Sequence, residues 1–253
     1  PIFLTPAWIV SIAEAVAGAV TLYLASNGKP VYISTGMFPF EPRKSWVAGG
    51  MPEHAIMEYQ RSIIAKKYNP VLKYSHSMTT SAKKPGFQAA AEKTAGAMFA
   101  AMNGCKDFFT AGLLSFDDIF SPAQFILDVE IRNLVQEYLK QPFTPPDADL
   151  DAIISEGLDD GYFATDTTLD NYDRVYYFPE LFNRNPLNKR MTGKSDVFGP
   201  DACSIAREKA IKLIKEHDYE PDADKINEVR KIFNTAWEKL APGCRNPLSH
   251  LKK

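Results

Sequence analysis

The sequence predicts an α/β fold in which short buried strands alternate with covering helices. Three observations predict it. Four brief apolar runs, Ile2–Thr5, Val31–Thr35, Val71–Ser75 and Phe108–Ala111, are rich in β-branched or aromatic residues and are bounded by Pro, Gly or Asn, as buried parallel strands are. Each run is followed by a helical pattern. The runs begin roughly 30 to 40 residues apart, the period of βα units.

The elements follow in order. A first helix over Trp8–Leu24 is closed by Asn27 and Gly28. A second, Pro52–Tyr68, opens on a proline, whose missing N–H costs nothing at a first helical position, and stops at Asn69 and Pro70. A third, Phe87–Met102, closes on Asn103 and Gly104, and a fourth, Pro122–Leu139, takes Ser121 as its N-cap. From Gln141 the character changes: Pro142 to Asp147 is a connector. Helices are predicted over Asp147–Leu158, Thr165–Phe178 and Asp201–His217, with a linker from Pro179 to Pro200. A last helix carries the apolar stripe Ile226, Val229, Ile232, Phe233, Trp237 and Leu240. No strand is expected after Ala111. The predicted division is therefore residues 1–140, four βα units, and 141–253, a helical extension packing on them.

Composition excludes some functions. A net charge of −2 and a pI near 6.2 argue against a dedicated nucleic-acid binder, which presents a basic face. Cys105, Cys203 and Cys244 are widely and irregularly spaced, which is neither a disulfide framework nor a zinc spacing. A reducing cytoplasm is the simplest setting. The apolar stretch from Ile2 to Leu24 contains Glu14, Thr5 and Ser11, which makes a poor membrane span, and it lacks the basic start of a signal peptide.

Two architectures suit alternating strands and helices. A doubly wound sheet usually carries a Gly-rich phosphate turn, and no turn here reads GxGxxG or GxxxxGK[ST]. A GxSxG nucleophile turn is also absent. A barrel needs no such turn, but it closes with eight strands, and four are visible.

Three segments carry a family resemblance. Leu114 to Ile131 runs from a strand end through Phe116 and Asp117 into a helix that reads Gln124, three hydrophobic residues, Asp128, Val129, Glu130, Ile131. Gly161 to Leu169 is followed by Phe178 to Arg184, which reads Phe-Pro-Glu-Leu-Phe-Asn-Arg. Ser81 to Gln88 reads Ser-Ala-Lys-Lys-Pro-Gly-Phe-Gln. In order and spacing these resemble the trimethylamine methyltransferase family over nearly the whole chain. The chain departs from the family pattern at Thr167, where a His is usual, and at Ser81, where an Asp is usual. Some archaeal members carry pyrrolysine in the barrel.

The resemblance implies a fold: the second half of a (β/α)8 TIM-type barrel, four βα units, followed by a helical C-terminal region. Members run to nearly twice this length, so a companion N-terminal half-barrel segment or subunit is expected. It also implies an activity. Members move a methyl group from a tertiary or quaternary amine, such as trimethylamine or a betaine, to the Co(I) corrinoid (cobalamin) of a partner corrinoid protein, in one-carbon metabolism and methanogenesis. Cobalt is the nucleophile, so the cofactor carries the difficult step. The barrel holds the cation, aims one methyl and excludes water. No nucleic acid, membrane or directly bound metal is expected, and a homo-oligomer in the cytoplasm is.

Barrel sites lie at the C-terminal ends of strands. That places Ser34, Thr35 and Gly36, then Ser77 and Met78, then Thr110 and Gly112, at the substrate. Trp8 of the first loop and Phe38 and Phe40 of the second join them, with Trp46 nearby. Quaternary ammonium groups sit well against aromatic faces. Loop aromatics also serve as packing, and both readings stand at this stage. His76 is the catalytic candidate at a strand end, with a satisfied structural histidine as the alternative. His76, Thr79 and Lys83 are the corrinoid-facing candidates, although Lys83 and Lys84 also suit a solvated pair. Asp117 and Asp118 cap the following segment or line the mouth. Asp128 and Glu130 read as structural. The competing function is a non-catalytic half-barrel assembly subunit, because a half-barrel exposes two open sheet edges.

Overall fold

The computed structural model describes residues 2–32, 35–68, 73–140, 144–145, 147–184, 200–220, 222–241 and 243–244. The element order is α1 (Leu4–Ala25), β1 (Phe40–Glu41), β2 (Trp46–Val47), α2 (Pro52–Tyr68), β3 (Ser75–Ser77), α3 (Phe87–Met102), β4 (Asp107–Phe109), β5 (Leu113–Leu114) and β6 (Ile119–Phe120). Then come α4 (Pro122–Tyr138), α5 (Leu150–Glu156), α6 (Asp166–Val175), α7 (Ala202–Lys215) and α8 (Ala223–Leu240). The fold is α/β.

Among the described residues the strands form three two-stranded sheets. β3 and β4 are parallel, with Ser75 opposite Asp107, His76 opposite Phe108 and Ser77 opposite Phe109. α3 is the crossover that a parallel pair requires. Met78 N–H donates to the Phe109 carbonyl at 3.0 Å and carries the pairing one step further. β1–β2 and β5–β6 are antiparallel hairpins in segments where the sequence predicts no strand.

Several expectations shift. Leu4 and Thr5 belong to α1 and not to a first strand. Pro6 falls in the first helical turn, where a missing N–H leaves no bond unmade, so the helix absorbs the apolar run. Val31, Tyr32 and Thr35 lie outside any strand, and Ile33 and Ser34 fall outside the described residues. The third run becomes Ser75–Ser77, with Val71 and Leu72 outside the described residues. The fourth ends at Phe109, because Thr110 turns the chain at φ 64°. The helices hold better. α2 and α3 take the predicted bounds, and α4 stops one residue short. Ser121 caps α4: its Oγ accepts the Gln124 N–H at 3.2 Å, with Pro122 in the first turn.

The inner face of α3 is nearly all alanine. Ala97, Ala100 and Ala101 are buried, and their small side chains let β3, β4 and α4 approach. Met78, Ile131 and Val135 pack on Ala97 and Ala101, with Phe108 against them. Burying an Ile or Val side chain there stabilises the fold by about 1.5–3 kcal/mol. Leu181 and Ala206 pack on Leu127 of α4. Tyr177 Oη donates to Glu130 Oε1 at 2.9 Å, and Arg184 donates to the Tyr177 carbonyl. The segment ending in Arg184 is thus fastened to α4 by Tyr177 on Glu130 and by Leu181 on Leu127.

The chain divides into two compact units, Pro1–Ile211 and Lys212–Lys253. In the second, Asp222 caps α8, Phe233 and Trp237 stack at 5.8 Å, and Trp237 Nε1 donates to the Cys244 carbonyl at 3.1 Å. In the first, α1 is apolar on all sides, with Trp8 as its one buried residue. Ile9, Val20, Leu22 and Leu24 are exposed. By length and composition α1 is long and apolar enough to cross a membrane, against the expectation of a poor span, because Glu14 is the one charged residue among its 22.

Candidate functional site at the strand ends

Three helices each send one carboxylate to the last residue of β3 or to the loops beyond β3 and β4. Both oxygens of Glu58 on α2 lie 3.2 Å from the Ser77 N–H. Glu92 on α3 accepts the Ser81 N–H at 2.7 Å and the Thr80 hydroxyl at 2.6 Å. Asp128 on α4 accepts the Gly112 N–H at 2.7 Å. Backbone donors that would otherwise be buried without partners are satisfied in this way, and the loops are pinned to the helices behind them.

The carboxylates are balanced differently. Asp128 is fully buried with Lys93, whose Nζ is 2.6 Å away, and Gln124 Nε2 donates to its other oxygen at 2.7 Å. Burial pushes the Lys93 ammonium down and the Asp128 carboxyl up, and their mutual attraction opposes both shifts. Glu58 lies between two histidines. His76 Nδ1 is 2.5 Å from one of its oxygens, and His54 Nε2 is 3.9 Å from the other. His54 Nδ1 is 3.0 Å from the Thr79 hydroxyl, and burial lowers its pKa against the pull of Glu58. Around Glu92 the hydrogen-bonding donors are neutral: Thr80, Ser81 and the Gln88 amide.

The β4 end is conformationally strained. Thr110, Ser115 and Phe116 have positive φ values of 64°, 51° and 68°, rare for non-glycine residues and rarest for a β-branched one. Such strain persists where surrounding bonds over-determine it. Here the Ser115 N–H donates to the Ala82 carbonyl and the Phe116 N–H to the Thr80 carbonyl, both at 2.7 Å. Lys83 Nζ donates to Ser115 Oγ at 2.6 Å, and Ser115 donates on to Asp118 at 3.0 Å. The turn sets the Phe116 ring at right angles to Phe38, centroids 5.3 Å apart, with the His54 ring beside both. A Cβ on Gly49 would lie 2.4 Å from the Phe116 ring.

The predicted site residues separate into groups. Ser77 and Thr110 meet, hydroxyl to hydroxyl, at 3.2 Å across the parallel pair. Gly112 is buried at φ 83°, and a Cβ there would lie 2.6 Å from Phe120. Met78 is core. Gly36, Phe38 and Phe40 line a groove of about 890 Å³ with Glu14 and Glu53, and Thr35 lies half-buried just before it. Trp46 is exposed on β2. Trp8 donates its indole N–H to Gln60 at 2.7 Å. Ser34 lies outside the described residues. His76 is buried, and its Nε2 faces α3, where a Cβ on Gly96 would come within 2.9 Å. Thr79 is buried and Lys83 exposed. Glu130 accepts the Tyr177 hydroxyl, and Asp128 reaches the strand-end loop at the Gly112 N–H.

Sequence reasoning missed Glu58, Glu92, Lys93 and Phe116. A signal existed for Glu58, since His54, Glu58 and Ser62 recur every four residues on one helical face. Phe116 gave none, because its role depends on a left-handed backbone that its residue type does not announce.

These features define an α/β protein whose strand-end loops are fixed by helix carboxylates. The family described as trimethylamine methyltransferase (MTTB) matches residues 1–228, and the chain belongs to that family. Trimethylamine methyltransferase MttB of Methanosarcina barkeri (strain Fusaro) is 25% identical over 241 residues, covering 93% of this chain and 47% of the relative. MttB2 of Methanosarcina mazei is 26% identical with the same coverage. MttB of Methanosarcina thermophila is 24% identical over 235 residues, covering 91% of this chain and 47% of the relative. The chain spans about half the length of these curated relatives.

Proposed function

We propose that this chain is the C-terminal half of a (β/α)8 barrel, its last four βα units, in a methyltransferase that moves a methyl group from a methylated amine to a partner's corrinoid. The observation that carries the reading is the family match across residues 1–228. The relatives' names point to trimethylamine as the donor, and we extend the proposal to other tertiary or quaternary amines such as a betaine. A companion N-terminal half completes the barrel, residues 141–253 form its helical C-terminal extension, and the assembly works in the cytoplasm as a homo-oligomer.

The chain's own residues bind and orient. Phe38 and Phe116, set at right angles, offer two faces to an ammonium cation. The paired hydroxyls of Ser77 and Thr110 mark the strand ends. The tethers beneath hold these loops so that one methyl is aimed and water is excluded. The partner's corrinoid, when bound, supplies the cobalt nucleophile. His76 does not fit as a cobalt contact, since one ring nitrogen meets Glu58 and the other faces Gly96. Of the three corrinoid-facing positions Lys83 alone is exposed, which suits steering of an anionic group of the corrinoid.

The test is direct. The completed barrel, a Co(I) corrinoid protein and trimethylamine or a betaine are mixed, and methylcobalt absorbance is followed. Appearance of the signal with one methylated amine supports the reading, and its absence with a full panel of methylated amines sinks it. The uncovered apolar surface of α1 favours a second reading, a non-catalytic half-barrel assembly subunit. That reading expects a complex of defined mass and no methyl transfer under the same conditions.

A further inference from the structure

We infer that Glu92 sets charge specificity at the strand ends: it positions the Thr79–Ala82 loop and places a carboxylate that forms no ion pair among the described residues behind the Phe38–Phe116 corner, selecting cations over neutral molecules of the same shape. The inference rests on the proposed function for its ligand class, a methylated ammonium. Its grounds are geometric. Glu92 accepts the Ser81 N–H and the Thr80 hydroxyl, and the next link is the bond from Phe116 N–H to the Thr80 carbonyl. The carboxylate is therefore one residue removed from the backbone that carries the Phe116 ring.

The contrast with Asp128 gives the inference its content. Asp128 does the same positioning for Gly112, but Lys93 cancels its charge at 2.6 Å. Among the described residues Glu92 has only the neutral donors Thr80, Ser81 and Gln88 in hydrogen-bonding contact. Gly50 closes over it: a Cβ there would lie 2.8 Å from Glu92 Oε2 and from the Thr79 carbonyl. A negative charge held half-buried by neutral dipoles keeps more of its field than one in water. Glu92 touches no reacting atom and is a positioning and specificity residue.

The experiment uses the barrel completed by its companion half and two probes that differ in charge alone, choline and its neutral isostere 3,3-dimethylbutan-1-ol, with binding followed by titration calorimetry or NMR. Wild type is expected to prefer choline. Glu92→Gln keeps an acceptor for Ser81, so the Ser81 amide should stay protected from hydrogen exchange. The choline preference should fall roughly tenfold, the size of one charge interaction at intermediate dielectric, with the isostere unaffected. Gln88→Lys is an exposed change that leaves Glu92 in place and sets a cation beside its Oε1, and it should narrow the preference in the same direction. An unchanged preference in both variants overturns the inference, as does an equal loss for both probes, which marks a purely structural role. If wild type binds neither probe, the methylated-ammonium reading itself fails, and the inference with it.

Discussion

At the scale of single residues, Asp128 shows how a charged residue inside an apolar helical run acquires a use. Its neighbours Phe125, Ile126, Leu127 and Val129 would suit a membrane or core helix, and the carboxylate survives among them because three donors converge on it. Asp128→Ala removes the acceptor for Gly112 and leaves Lys93 buried without a partner. We expect a loss of about 3–5 kcal/mol, read from the urea midpoint, because breaking one side of a buried pair costs more than the pair contributes. The variant also carries a pH signature. Burial already lowers the Lys93 pKa, and losing Asp128 removes what opposes that shift. Between the lowered folded value and the ordinary 10.5 the unfolded chain binds more protons than the folded one. Stability of the variant should therefore rise with pH through that window. A variant as stable as wild type, or one with the opposite slope, would discount the ion pair.

Elements were legible in the sequence where local chemistry decides them. α3 could be read to its last residue because Asn103 and Gly104 stop it, and α4 because Ser121 and Pro122 start it. The hairpins were not legible. Their strands are two residues long, too short for a period to show, and β5–β6 turns through Ser115 and Phe116 in left-handed conformations that only the surrounding bonds impose. For the candidate site, the ends of β3 and β4 were readable from the alternation of runs and helices; Ser77 and Thr110 meet there, while Gly112 is held by Asp128. The tethers from behind were not, since a Glu on a helix usually faces water. The β2–α2 connection illustrates the dependence on tertiary context. Gly50 adopts φ 76° with the Thr79 carbonyl and Thr80 Cα both 2.8 Å from where a Cβ would stand. Gly50→Ala should cost about 1–3 kcal/mol through backbone strain alone. It should also loosen the Ser81 amide in hydrogen exchange, because the loop must back away from Glu92. Unchanged Ser81 protection would show that the loop does not need this approach.

For the molecule as a whole, α1 poses the largest unpaid term: a 22-residue helix with one buried side chain. Ile9 is 64% exposed, Val20 53% and Leu24 69%. Each such side chain forgoes about 1.5–3 kcal/mol that burial would supply. A contiguous apolar surface of this kind marks an interface. On the half-barrel reading proposed above, its occupant is the companion N-terminal half; this chain covers 47% of the length of a relative such as MttB of Methanosarcina barkeri. Mixed with a separately expressed N-terminal half from a relative, the chain should form a complex of equal stoichiometry in sedimentation analysis, and the amides of α1 should gain protection from exchange. Ile9→Asp combined with Val20→Asp should abolish that complex. It should leave the exchange protection of β3, β4 and α3 intact, because neither residue contributes to the clusters around Ala97 and Ala100. A chain that sediments as a stable 28.3 kDa monomer and ignores the companion would remove the half-barrel reading. The apolar surface of α1 would then need another explanation, and with the α1 interface lost, the strand-end site would have to function on the scaffold of β3, α3, β4 and α4 alone.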